Sequence, residues 1–157
     1  MNIQHIALIA DLNARYADAI DADRLEAWPD FFLDDGRYRI TTAENIAQGL
    51  PLSMMYATSR AMLRDRITAL REANVYEGQR YRHVLGTPLI AAIEADGLRV
   101  RTSFMVARVM RTGETMLFAT GCYDDRVVFD TTDGARFAEK TVVLDSRQID
   151  TLLAIPL

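Results

Sequence analysis

Leu98-Arg99-Val100-Arg101-Thr102-Ser103-Phe104-Met105-Val106-Ala107-Arg108-Val109-Met110-Arg111 alternates two kinds of side chain along its length and stops at Thr112-Gly113. A period of two puts successive side chains on opposite faces, so the run predicts a long strand with one buried and one wet face. The same period holds over Arg80 to Ala95, Thr115 to Phe129 and Ala135 to Asp145. Asp96-Gly97 and Asp133-Gly134 complete the set of turns, and Asp-Gly between alternating runs is a strong hairpin signal. The C-terminal half therefore reads as an antiparallel meander of long strands.

Upstream the period changes to that of a helix. Ile6, Ile9, Leu12, Tyr16 and Ile20 share one face of a helix starting near Asn2. Asp23 with Glu26 three residues later reads as a capping box, and Pro29 interrupts the helix it opens. Asp34-Asp35-Gly36 signals a turn, Arg37–Thr41 a strand, and Met54–Thr58 a short strand after the break at Gly49-Leu50-Pro51. Ser59 caps a further helix with Met62, Leu63, Ile67, Leu70 and Ala73 as its buried stripe. Helices followed by a meander give an α+β fold, one domain over residues 1–157, in which a curled sheet wraps the N-terminal helices.

Composition narrows the function. The chain has 157 residues, a net charge of −4, two histidines and one cysteine. Nucleic-acid binding is dominated by phosphate neutralisation, which an acidic chain serves poorly. No apolar run approaches the ~18 residues of a membrane span, and Met1-Asn2-Ile3-Gln4 lacks the character of a secretory signal. Cys122 has no partner for an internal disulfide, which points to a reducing cytoplasm. His5, His83 and Cys122 are too few and too scattered for a zinc, Rieske or haem site. Nucleotide-binding loops and hydrolase motifs are absent from the sequence. Charge is segregated: residues 1–59 carry an excess of five acids, residues 60–111 an excess of five arginines, and residues 112–157 an excess of four acids. Of the 18 basic residues only Lys140 is a lysine. Arginine is favoured at protein interfaces, although a GC-rich genome would enrich it equally.

Several stretches carry a family resemblance. These are Arg15-Tyr16 with Trp28-Pro29-Asp30-Phe31-Phe32, Met62-Leu63-Arg64-Asp65-Arg66-Ile67, Tyr81-Arg82-His83-Val84-Leu85-Gly86, Val143-Leu144-Asp145-Ser146 and Ile155-Pro156-Leu157. In this order and spacing they resemble the small (β) subunits of the aromatic-ring-hydroxylating dioxygenases, the Rieske non-haem iron oxygenases. The nearest resemblance is to the branch acting on aromatic carboxylates, such as the terephthalate dioxygenase and salicylate hydroxylase small subunits. Leu63–Asn74, Phe104-Met105-Val106 and Arg111–Thr115 look most like terephthalate dioxygenase. The resemblance implies a cone-shaped α+β barrel shared with nuclear transport factor 2, ketosteroid isomerase and scytalone dehydratase. It also implies a large α subunit that holds the Rieske cluster and mononuclear iron. This chain would then be a structural, non-catalytic member with no cofactor of its own. The resemblance further implies assembly as a homotrimer or as three α and three β chains, with an aromatic carboxylate as the substrate class.

Each candidate site residue has a functional and a plain reading. His83 on a pocket wall could serve as a general base, or it could be a histidine satisfied in the core or at a subunit contact. Arg64 and Arg66, with Arg71, could bind a carboxylate, form intersubunit salt bridges or simply be solvated; under the resemblance Arg64, Arg66, Arg82 and His83 are the interface candidates. Tyr16, Met54 and Tyr56 are candidates for an apolar pocket, against a plain core reading. A free-standing barrel enzyme would need Tyr16, Asp18, Tyr56, Asp65 and His83 to converge, and a small-ligand binding module remains a further alternative. The apolar stretch Leu152–Leu157 is expected to dock on this subunit or a neighbour.

Overall fold

A computed structural model describes residues 3–73, 78–132, 134–148 and 155–157. Helix α1 spans Ile3–Asp21 and buries Ile9, Leu12, Tyr16 and Ile20, the expected stripe. It closes with Asp23 in the left-handed region, φ 58°, while the Arg24 N–H reaches the Ala19 carbonyl and the Asp23 N–H that of Ile20. That is a Schellman closure, which Asp tolerates better than most residues. Asp23 therefore ends one helix instead of capping the next, correcting the capping-box expectation. The next element is a 3₁₀ helix, Leu25–Phe31, whose three-residue turn brings Leu25 and Trp28 to the core.

Strand β1 spans Phe32–Thr42. The expected turn at Asp34-Asp35-Gly36 is a bulge inside this strand, where register against the last strand shifts between Phe32 and Arg37. Arg60 pins it, donating to the Phe32 carbonyl (3.0 Å from Nε) and pairing with Asp34 at 3.0 Å. A short helix, α2 (Ala43–Ala47), was not expected; Thr42 caps it by accepting from the Asn45 N–H. Strand β2 is Met55–Ala57 and helix α3 is Arg60–Ala73, with the Ser59 hydroxyl accepting from the Met62 N–H. Leu63 and Ile67 form its buried stripe, with Leu70 partly buried; Met62 and Ala73 are exposed.

The run Arg80 to Ala95 is two strands, β3 (Gln79–Leu85) and β4 (Leu89–Glu94), because Pro88 cannot donate to the ladder. Both pair with β5 (Gly97–Met110), followed by β6 (Thr115–Asp130) and β7 (Gly134–Leu144). Of the Asp133-Gly134 turn, Asp133 lies outside the described residues. Sheet order is β2-β1-β7-β6-β5-β3, with β4 beside β5. All pairings are antiparallel except β1–β7, which is parallel. Bulges in the β5–β6 and β6–β7 ladders bend the long strands, and the concave face closes over α1, α3 and the 3₁₀ helix.

Gly121 marks the tightest point of the coil. A Cβ there would lie 2.1 Å from the Val143 carbonyl oxygen and 3.0 Å from the Phe104 ring. Gly121→Ala is expected to cost about 1–3 kcal/mol, the usual penalty of overpacking. A thermal melt should show this as a fall of roughly 3–10 °C, and an unchanged melt would mean that the two strands can part at no cost.

Candidate functional site

The inward faces of β5, β6 and β7 meet α1 in a packed aromatic interior. Tyr16, Trp28, Phe32, Tyr38, Tyr123 and Phe137 are each 0% exposed and meet mostly edge to face. Buried Tyr and Trp need partners for their polar ends. The Trp28 Nε1–H donates to the Tyr16 hydroxyl at 3.1 Å. The Tyr16 and Tyr38 hydroxyls both donate to the Leu157 carbonyl, at 2.7 and 2.9 Å, and the Leu157 N–H donates to Tyr38 Oη at 3.0 Å. The chain's own Ile155–Leu157 thus packs into the interior against these rings. The expected docking holds for these three residues; Leu152–Ala154 lie outside the described residues. The cavity bordered by Leu157, Phe118 and Leu144 has only about 20 Å³, room for one water.

Lys140 points into this interior. Its ammonium donates to Asp125 Oδ2 at 2.9 Å and lies 3.7, 4.2 and 4.5 Å from the ring centroids of Tyr123, Phe137 and Tyr16. Burial pushes the Asp125 carboxyl up to about 6, against the pull of Lys140, and pushes the Lys140 ammonium down. Burial likewise raises the Tyr16 and Tyr123 hydroxyls, so both stay neutral; Tyr16 donates to Leu157, while Tyr123 Oη has no hydrogen-bond partner among the described residues.

His83 is the second buried polar centre. Asp21, at the end of α1, accepts the His83 backbone N–H at 2.8 Å and lies 2.6 Å from Nδ1. Because β3 is an edge strand, this carboxylate satisfies an edge amide and ties the strand to the helix. A carboxylate on Nδ1 also fixes ring orientation, which is the geometry of an acid–base dyad. His83 Nε2, however, is buried without a hydrogen-bond partner among the described residues, and the ring is fully enclosed. A surface cleft of about 800 Å³ lies alongside, between the end of α1 and the start of β3. It is lined by Asp21, Tyr81 and Arg82 but not by His83.

The other sequence candidates do not converge. Asp18 pairs with Arg24, Asp65 is exposed on α3, and Met54 and Tyr56 are 44% and 53% exposed, outside the barrel. Only Tyr16 of the three pocket candidates lies inside. Arg64 pairs with Asp30 at 3.3 Å, and Arg71 grips both Glu26 and Asp23, holding the Glu26 carboxyl below its usual range. Arg66 and Arg82 have no ion-pair partner among the described residues. Asp21, Asp125 and Lys140 were missed as partners. The described residues bring together no group of three or more His, Cys, Asp or Glu side chains that could hold a metal, so iron or a cluster does not fit them.

Residues 2–141 match the model of the SnoaL-like domain. The beta 1 subunit of the terminal oxygenase component of terephthalate 1,2-dioxygenase from Comamonas sp. is 50% identical over 95% of this chain and 96% of its own length. This chain belongs to the β subunits of the aromatic-ring-hydroxylating dioxygenases. The anthranilate 1,2-dioxygenase small subunit of Burkholderia cepacia is 38% identical over 93% of this β subunit and 90% of its own length. Among solved structures, the β subunit of a putative aromatic-ring-hydroxylating dioxygenase from Novosphingobium aromaticivorans superposes with a TM-score of 0.87 at 37% identity. That match covers 96% of this β subunit and 95% of the other chain. The cone-shaped barrel expected from the sequence is therefore the fold of this β subunit, as part of an oxidoreductase complex.

Proposed function

We propose that this β subunit is the structural, non-catalytic member of an oxygenase whose large α subunit holds the Rieske cluster and mononuclear iron and acts on an aromatic carboxylate. The observation that carries the reading is the 50% identity, end to end, with a terephthalate dioxygenase β subunit. The filled interior supports it, since Leu157 occupies the space beside the Tyr16 and Tyr38 hydroxyls. In this reading residues 1–157 form one barrel domain, assembled as three α and three β chains in the cytoplasm, and isolated β chains form a homotrimer. Arg66 and Arg82 reach a neighbouring subunit, Arg64 shapes the same surface through Asp30, and His83 fixes the edge strand that presents Arg82. Co-purification with an iron-bearing large subunit tests the assembly; elemental analysis finding one tightly held metal in isolated β would overturn the division of labour.

One observation favours a barrel enzyme instead, the Asp21–His83 pair with its unpartnered, buried Nε2. His83→Ala separates the two. Removing a positioning histidine leaves Asp21 Oδ1 without its ring partner, at about 1–3 kcal/mol, while the backbone N–H still reaches Oδ2. The variant should then melt several degrees lower and assemble less well, with turnover per iron unchanged. A general base would instead lose about 100–10,000-fold in turnover while the assembly survived. Arg82→Ala should act on assembly alone.

A further inference from the structure

The outer face of the sheet has two adjacent rows of side chains that nothing among the described residues covers. Strand register aligns Tyr56, Arg39, Thr141, Asp124, Arg101 and Leu89 in one row. The next row holds Arg37, Glu139, Arg126 and Arg99. Five guanidinium groups thus face two carboxylates. Arg99 is held by Asp124 at 2.8 Å, and Arg126 reaches Asp96 at 2.7 Å and Glu139 at 3.8 Å. Arg37, Arg39 and Arg101 have no ion-pair partner among the described residues. Arg37, Arg39, Arg99 and Tyr56 line a hollow of about 210 Å³, and the exposed side chains of Tyr56 and Leu89 (63%) flank the strip at its two ends.

We propose that this strip docks a carboxylate-bearing segment of the large oxygenase subunit. The inference rests on the assembly proposed for this β subunit and names the surface that makes it. Charge complementarity selects the occupant. A chain of net charge −4 concentrates unpaired arginines on one face, and a planar guanidinium pairs best with a carboxylate brought to it. A second copy is a poor match. Six acids on or beside its helical side are already taken by its own arginines: Asp11 by Arg15, Asp18 by Arg24, Asp23 and Glu26 by Arg71, Asp30 by Arg64 and Asp34 by Arg60. That leaves only a few, such as Asp65 and Glu72 of α3, exposed without an ion pair among the described residues. Tyr and Arg together at an uncovered face are also the residues that dominate binding energy at interfaces.

The test uses the tagged large subunit from the same organism, co-expressed with wild type, R37E/R39E, R37A/R39A, or R15E/R24E as a charge-matched change on the helical side. Wild type and R15E/R24E should be retained. R37E/R39E should lose at least tenfold in retention and R37A/R39A less, all with melting temperatures near that of wild type, and the wild-type complex should weaken as salt is raised. Equal retention of R37E/R39E overturns the proposal. So does a variant whose self-association falls apart while the large subunit still binds, since a second copy is then the occupant. Failure of the wild-type chain itself to be retained would overturn the reading of the chain as an oxygenase subunit, not merely the location of its contact.

Discussion

Lys140→Met will lower the melting temperature by roughly 10 °C or more at pH 8, and the deficit will shrink as the pH is taken toward 5. Removing one partner of a buried ion pair leaves an uncompensated charge and costs about 3–5 kcal/mol. A protein of this size loses about 2–4 °C for each kcal/mol. The pH dependence arises from Asp125, whose carboxyl already sits up at about 6 in the folded chain against an unfolded value of 3.8. A raised carboxyl binds a proton more tightly folded than unfolded, so this group favours folding at low pH and loses that contribution as pH rises through its folded value. Without Lys140 the carboxyl rises further, and the variant is best tolerated where Asp125 is protonated. Asp125→Asn should show the opposite trend, with its deficit shrinking at high pH where a lone buried ammonium can discharge. Replacing both residues, Lys140→Met with Asp125→Leu, should recover most of the loss, because two apolar side chains need no counter-charge. Melts at pH 5, 7 and 9 check all three; a pH-independent deficit would mean that Asp125 stays ionised throughout.

Deleting Ile155, Pro156 and Leu157 should leave little folded protein at 37 °C. Ile155 and Leu157 are 5% and 0% exposed, and burying each side chain contributes about 1.5–3 kcal/mol. The Tyr16 and Tyr38 hydroxyls would lose the Leu157 carbonyl, at about 1–3 kcal/mol each. Together these approach the ~5–15 kcal/mol that holds a typical domain together. Tyr38→Phe should remove the two hydrogen bonds its hydroxyl makes with Leu157, at about 1–3 kcal/mol, and remain folded. Solubility and circular dichroism of the pair therefore report on the plug and not on general fragility. A deletion variant that is soluble and melts normally would show the interior to be self-sufficient.

The sheet was legible because its residues obey one local rule over long stretches. Alternation in 98–110 and 115–130 needs no knowledge of the partner strand. Boundaries failed where a residue answers to something distant. Asp23 and Glu26 have the spacing of a capping box, yet Arg71, far along the chain on α3, takes both carboxylates. Asp34-Asp35-Gly36 has turn composition, and only Arg60 and the parallel ladder make it a bulge. The buried pairs left a faint trace: Asp125 and Lys140 occupy inward positions on neighbouring strands, the lone lysine among them, so a charge on the apolar phase of two alternating runs was the available signal. Asp21 had no such trace. Its role depends on α1 ending beside an edge strand, which sequence spacing does not encode.

The parallel pairing of β1 with β7 bears on how the protein is made. Register joins Phe32 to Phe137 and Thr42 to Leu144, and Tyr16 reaches Leu157 across 141 residues. On the ribosome, the first helix and strand emerge long before the elements that cover them. Their apolar faces must wait for nearly the whole chain, and contacts this remote in sequence make folding slow. A prematurely terminated product therefore keeps only the contacts its N-terminal half makes with itself, such as β1 with β2 and Arg71 with Asp23. It is left with its apolar faces uncovered as aggregation-prone material for chaperones and proteases. Synthesis is in effect proofread for completeness, because only a chain carrying its last strand and plug can present a finished surface to a partner.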